Sequence, residues 1–301
     1  MSIRVRQDSS ARLDVRLSPS WWMALGALGV STSAIFIDLS GTSPGTATFF
    51  RCAFAVPLLL PLVLVERRRE GPPTRRQTGY AVAAGLLFAG DALWWTQAIG
   101  EVGAGLSTVL VNAQVVLVPL LALVIDRERV SRRFLAVMPV MVAGILLTGG
   151  VLEEGVGGAD PAAGTIHALL AAACYSGFLY LLRRGGTGGA VIQNYLVVVA
   201  TAAGAALCVG RLWGGMTLAP GWAELGWLVL IAAGGQVTGW LLVALATPHL
   251  RSEVGAALLL LTPVGALVLG ALVLGERPSA LQLVGCVLVL ASAYAASARR
   301  D

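Results

Sequence analysis

Two ionisable residues stand inside apolar runs. Arg51 lies in GTATFFRCAFAVPLLLPLVLV (45–65) and Asp91 in TGYAVAAGLLFAGDALWWTQAI (78–99). A charge in hydrocarbon costs roughly 3 kcal/mol or more, so such groups face a partner or a wet cavity. Counted from the end the two runs share, Arg51 is about 9 Å deep and Asp91 about 12 Å, at 1.5 Å per helical residue. Three chemistries fit this pair. It could be an ion pair that braces or gates one half of the membrane. It could seat a zwitterion, with Arg51 on the carboxylate and Asp91 on the ammonium. Or Asp91 could take up a proton and couple solute movement to proton entry.

A second set surrounds this pair in depth. Trp94 and Trp95 follow Asp91, and Trp240 stands four residues after Gln236. Helical residues four apart share a face, which aligns Asp91 with Trp95 and Gln236 with Trp240. Ser31, Thr32, Asn112, Gln114 and Tyr175 fall near mid-depth in their own runs. Aromatic walls with a few polar groups suit a small amphipathic solute. Taken singly, the amides equally suit interhelical hydrogen bonds, and the aromatics core or lipid contacts.

Other candidates have simpler readings. Glu101 and Glu253 open apolar runs, where a helix dipole favours an acid. Glu128 and Glu276 stand beside arginines and read as ion pairs. His167 and His249 have no neighbour at metal-ligand spacing, so neither a metal nor a cofactor is expected. Cys52, Cys174, Cys208 and Cys286 lie far apart in apolar segments and read as small buried hydrophobes.

Positioning these residues falls to a membrane-embedded scaffold. The chain is 57% hydrophobic and 12% charged, with mean hydropathy +0.81. A soluble domain carries about 25% charged residues, so most of this surface must face lipid. Helices of about 20 residues allow roughly ten spans in 301 residues. The runs are continuous rather than alternating, which argues against a β-barrel. The net charge of +5 comes from arginines in short loops and does not imply nucleic-acid binding. The expected fold is an all-α integral membrane protein of ten transmembrane helices, near 21–38, 45–65, 78–99, 103–125, 134–150, 164–182, 190–209, 223–246, 253–274 and 280–297. Pro57 and Pro61 should kink the second span, and Pro119, Pro139 and Pro263 are further kink candidates. The first span lacks a small-residue cleavage site and reads as a helix, not a signal peptide.

The spans fall into two units. Glu101-Val-Gly-Ala opens one run that closes on Glu128-Arg129; Glu253-Val-Gly-Ala opens another that closes on Glu276-Arg277. A separation near half the chain marks a duplication. The units are 21–150 and 164–297, joined by an acidic, glycine-rich linker at 151–163, with a disordered tail at 1–20 and a short end at 298–301. Arginines crowd the loops on the side of both termini, which places that side in the cytoplasm of a cell (inner) membrane and the linker outside. Five spans per unit is odd, so the second unit is inverted relative to the first. Inverted repeats form secondary transporters that expose a midplane site to each side in turn.

Leu274-Gly275-Glu276-Arg277-Pro278, its twin Asp126-Arg127-Glu128-Arg129, and Phe50-Arg51 carry a resemblance to the drug/metabolite transporter superfamily, in its ten-helix branch, over about residues 21–297. In character the chain is similar to bacterial amino-acid exporters, including those for aromatic amino acids. The resemblance implies a cavity lined mainly by spans 1, 3, 4, 6, 8 and 9. It departs at Val30-Ser31-Thr32, where the family often has tryptophan, with Tyr175 as the counterpart in span 6. The implied function is export of amino acids or related metabolites by alternating access, with the bilayer, a small-molecule solute and, under the third chemistry above, protons as partners. A drug or nucleotide-derivative carrier is the alternative within the superfamily. A membrane-embedded enzyme would need clustered acid, base or nucleophile groups, which these runs do not offer. No Gly-x-x-x-x-Gly-Lys loop exists, because the chain has no lysine.

Overall fold

In the computed structural model, residues 18–127, 132–150, 159–185, 190–211, 215–246 and 258–297 are described. Their regular structure is all helical, with no strand among them. The helices are α1 (Pro19–Ser40), α2 (Pro44–Glu70), α3 (Arg75–Val102), α4 (Ala104–Val111), α5 (Gln114–Asp126), α6 (Arg132–Thr148), α7 (Pro161–Gly185), α8 (Val191–Val209), α9 (Trp222–Leu230), α10 (Trp240–Ala246), α11 (Leu261–Leu269) and α12 (Ala280–Ser297). A π-helical segment, Ile231–Gly239, joins α9 to α10, and a π-turn, Gly270–Leu274, extends α11. Seven continuous stretches are long and apolar enough to span a membrane, and Leu135–Thr148, Leu261–Leu274 and Ala280–Ala295 are shorter apolar helices. Together they make the expected ten-span, all-helical membrane protein.

Local signals fix the ends. Thr74 and Gln77 form a reciprocal capping box that starts α3 three residues earlier than its apolar run suggests. Gly41 (φ 59°) and Gly275 (φ 71°) take the left-handed conformation that ends a helix. Pro57 and Pro61 are accommodated within α2, which is assigned helical from end to end. The fourth span does break, at Asn112–Ala113, where three-residue backbone bonds tighten the chain between α4 and α5. The expected start of the ninth span at Glu253 lies outside the described residues, as do Glu128, His249, the tail up to residue 17 and most of the linker.

The packing mixes the two halves of the chain. α3 lies along α7 and α8; α2 lies along α8; α1 packs on the π segment, α10 and α11; α4 packs on α11; α6 packs on α12. Exchanging the two units maps these contacts onto one another. Span 1 against span 8 becomes span 6 against span 3, while pairs 2–7, 4–9 and 5–10 map onto themselves. Of the corresponding helices, α2 and α8 run antiparallel. Glu66 at the end of α2 accepts hydrogen bonds from Ile192 N and Gln193 N at the start of α8. Thr46 at the start of α2 bonds Thr217 beyond the end of α8. Close approach depends on missing side chains: a Cβ at Gly85 would stand 2.6 Å from the Val198 carbonyl oxygen. The end carrying residues 41–43, 103 and 275 is termed distal here, and the end where α1 begins proximal. Cys52 and Cys286 are buried as expected, but Cys208 is exposed near the end of α8.

Candidate functional site

Arg51 sits about two turns into α2 and is 5% exposed. Its partner is not Asp91. Nε (3.0 Å) and Nη2 (2.6 Å) both donate to Oε1 of Gln236. The guanidinium lies over two rings of α3, 5.6 Å from the centroid of Phe88 and 5.6 Å from that of Trp95, two cation–π contacts. Gln236 is fully buried and is itself held. Its amide donates to the Tyr195 hydroxyl, and that hydroxyl donates to the Gln236 backbone carbonyl at 2.9 Å. The π segment includes Gln236, and such segments frequently mark functional sites. Its Ala-Ala-Gly-Gly sequence lets α1 come close. The side chain that receives Arg51 is thus Gln236, not the Asp91 expected for an ion pair. Among the described residues no direct ion pair links Arg51 to Asp91.

Asp91 is 7% exposed and accepts no hydrogen bond among the described residues. It remains within electrostatic reach of Arg51 and of Tyr175. Tyr175 packs with Phe178 (5.7 Å) and Trp240 (6.2 Å), and Trp240 reaches Tyr195 (6.5 Å). One compartment of the membrane interior thus gathers Arg51, Asp91, Trp95, Tyr175, Gln236 and Trp240. Arg51 has five N–H donors, and Gln236 engages only two of them, so the rest are open to an acceptor.

The other candidates lie elsewhere. Ser31 bonds the Leu28 carbonyl and Thr32 the Gly29 carbonyl within α1. Asn112 donates to the Thr108 carbonyl at the α4–α5 break. The Gln114 side-chain oxygen is buried without a partner among the described residues. Trp94 turns toward the distal end and stacks on His167 at 5.0 Å. An open cavity of about 590 Å³ lies at the proximal end against Glu70, Thr74, Arg76, Tyr80 and Arg184, away from this compartment.

Two further sequence readings are corrected. Glu101 does not open the fourth span. Gly103 (φ 94°) breaks the chain after Val102, leaving Glu101 at the end of α3. There its carboxylate meets Gln97 and His167, a structural contact for both. Glu276 does not pair with arginine among the described residues; its carboxylate accepts from Ala104 N and Gly105 N at the start of α4. Burial pushes this carboxyl above its ordinary range, while the two N–H groups pull it back. Tyr195 was missed. Its only sequence cue is the polar opening Gln193-Asn194-Tyr195 of an otherwise apolar helix.

Comparison with known proteins follows the same lines. A crystal structure 18% identical in sequence superposes with a TM-score of 0.59, covering 93% of this chain and 96% of its own, which shows a shared fold. No curated protein matches significantly by sequence. The EamA-like transporter family matches residues 17–150 and 162–298, two repeat units spanning nearly the whole chain. With two matched repeats and an all-helical membrane fold, the chain belongs to the EamA-like transporter family, within the drug/metabolite transporter superfamily.

Proposed function

We propose that this small-molecule transporter exports amino acids or closely related zwitterionic metabolites across the inner membrane by alternating access. Arg51 seats the carboxylate and Asp91 the ammonium. The observation that carries this reading is the fixing of Arg51. Gln236 and two aromatic rings orient the guanidinium, and Tyr195 orients Gln236, all in the same compartment as a carboxylate with no hydrogen bond of its own. Guanidinium–carboxylate geometry favours a bidentate acceptor such as a substrate carboxylate. Tyr175, Trp95 and Trp240 supply an apolar wall suited to an aromatic or branched side chain.

The antiparallel pairing of α2 with α8 supports an inverted duplication, and the arginine-rich proximal end supports cytoplasmic termini. A second reading draws on the same Asp91: without a hydrogen-bonding neighbour, it is available to carry a proton inward while solute leaves. The test is uptake into proteoliposomes across the amino acids and their analogues. Amino acids should be transported, while amides lacking the carboxylate and analogues lacking the amine should compete poorly. Equal transport of intact and amidated solutes would refute the seat.

A further inference from the structure

The solute-binding reading leaves Glu276 without a task, yet its carboxylate occupies a built seat. The π-turn Gly270–Leu274 and left-handed Gly275 fold the chain back, so that Glu276 N bonds the Gly270 carbonyl. The carboxylate then lands on the first N–H groups of α4, Ala104 and Gly105, from which it is separated by more than 170 residues of sequence. Three glycines leave the room it fills. A Cβ at Gly270 would stand 2.3 Å from Oε2, one at Gly103 2.7 Å from Oε1, and one at Gly105 2.9 Å from Oε2. At Gly270 the three nearest atoms that such a Cβ would meet all belong to this carboxyl group. Nearby, an apolar plug from α1, α3, α4, α9, the π segment and α11 includes Ile37, Ile99, Ala104, Leu228, Ile231 and Ala266.

Helix-start N–H groups and their dipole favour a carboxylate. Those same bonds exchange readily for water, because the net gain of a hydrogen bond over hydration is small. A contact of this kind between one helix of each unit can open and close in a way that buried apolar packing alone cannot. We propose that Glu276 is a latch holding the distal end of the bundle shut, and that its carboxylate leaves the α4 seat when that end opens. This rests on the alternating-access reading. Both partners stand at the ends of the duplicated stretch: Gly103-Ala104 recurs as Gly255-Ala256, and Glu276 as Glu128, which follows Arg127 instead of glycine.

The test uses full-length protein in lipid nanodiscs, where both faces are reachable, with the four native cysteines replaced. A single cysteine is placed in the distal plug (Ile37→Cys) or in the proximal cluster around Met23 (Met23→Cys), both buried positions. Labelling by a water-soluble maleimide is timed. Glu276→Ala should accelerate labelling at Ile37→Cys by about tenfold or more, the scale of a lost charge-assisted hydrogen bond, and slow it at Met23→Cys. Gly270→Ala should do the same by expelling the carboxyl, and should add nothing in the Glu276→Ala background. Unchanged Ile37→Cys labelling in both single variants would overturn the latch. So would an effect of Gly270→Ala that persists without Glu276, since that would be general disruption. Faster distal labelling with no slowing at Met23→Cys would support the latch and reject alternating exposure. Monodisperse elution of each variant checks folding.

Discussion

Gln236→Leu is the sharpest perturbation of the proposed seat. Oε1 of Gln236 receives two N–H bonds from Arg51, at 3.0 and 2.6 Å. Leucine fills similar volume but leaves those donors empty beside a buried charge. A hydrogen bond to a charged group is worth about 1.5–3 kcal/mol, and the two bonds share one acceptor oxygen, so they count as little more than one. The rings of Phe88 and Trp95 stay in place and keep the guanidinium near its position. A loss of about 2 kcal/mol in orienting the seat corresponds to roughly a 30-fold rise in KM. Gln236→Glu separates orientation from charge. Its carboxylate would pair with Arg51, sustain thermal stability and neutralise the positive charge that a substrate carboxylate needs, so transport should fail while the fold holds. The assay is initial-rate uptake into proteoliposomes alongside thermal unfolding in detergent. If Gln236→Leu leaves KM within about twofold, or Gln236→Glu transports normally, Arg51 is not the carboxylate seat.

Asp91→Asn removes the negative half of the seat. It should raise KM for α-amino solutes by about tenfold or more, on the scale of a charged hydrogen bond, and leave competition by deaminated analogues unchanged; equal weakening of both would count against an ammonium contact. Gly85→Ala should lower thermal stability by about 1–3 kcal/mol of overpacking, because its Cβ would meet the Val198 carbonyl and the Thr201 side chain. Gly79→Ala in the same helix, with nothing within 4 Å, is the control, and equal melting of the two variants would contradict the packing argument.

Much of the fold was legible because lipid leaves few options. A chain with so few charges must be helical across the bilayer, and the spans follow from the length that hydrocarbon requires. Span ends were less legible, because polar caps such as Thr74–Gln77 extend helices beyond their apolar runs. Glu101 was misplaced for a related reason. The break that matters is Gly103 at positive φ, two residues later, and backbone conformation there overrides the apolar pattern.

The site was half legible. Burial of Arg51 and Asp91 followed from their positions in apolar runs, but their partners did not. Pattern gives depth and face on one helix, whereas the partner depends on how helices pack. Gln236 reaches Arg51 from a π-helical stretch that regular periodicity does not anticipate. Trp94 and Trp95, adjacent in sequence, point to different neighbours, His167 and Arg51. The role of Glu276 was hidden by the arginine beside it, which suggested an ion pair, while backbone N–H groups, silent in any sequence, make the contact.

Counterflow tests the central claim most directly. Proteoliposomes loaded with an unlabelled amino acid are diluted into medium containing a trace of the labelled one. Wild-type protein should accumulate label transiently above equilibrium, and Arg51→Ala should abolish this while remaining folded. Absence of trans-stimulation across all the amino acids, or undiminished counterflow by Arg51→Ala, would contradict a carrier that holds amino acids at Arg51.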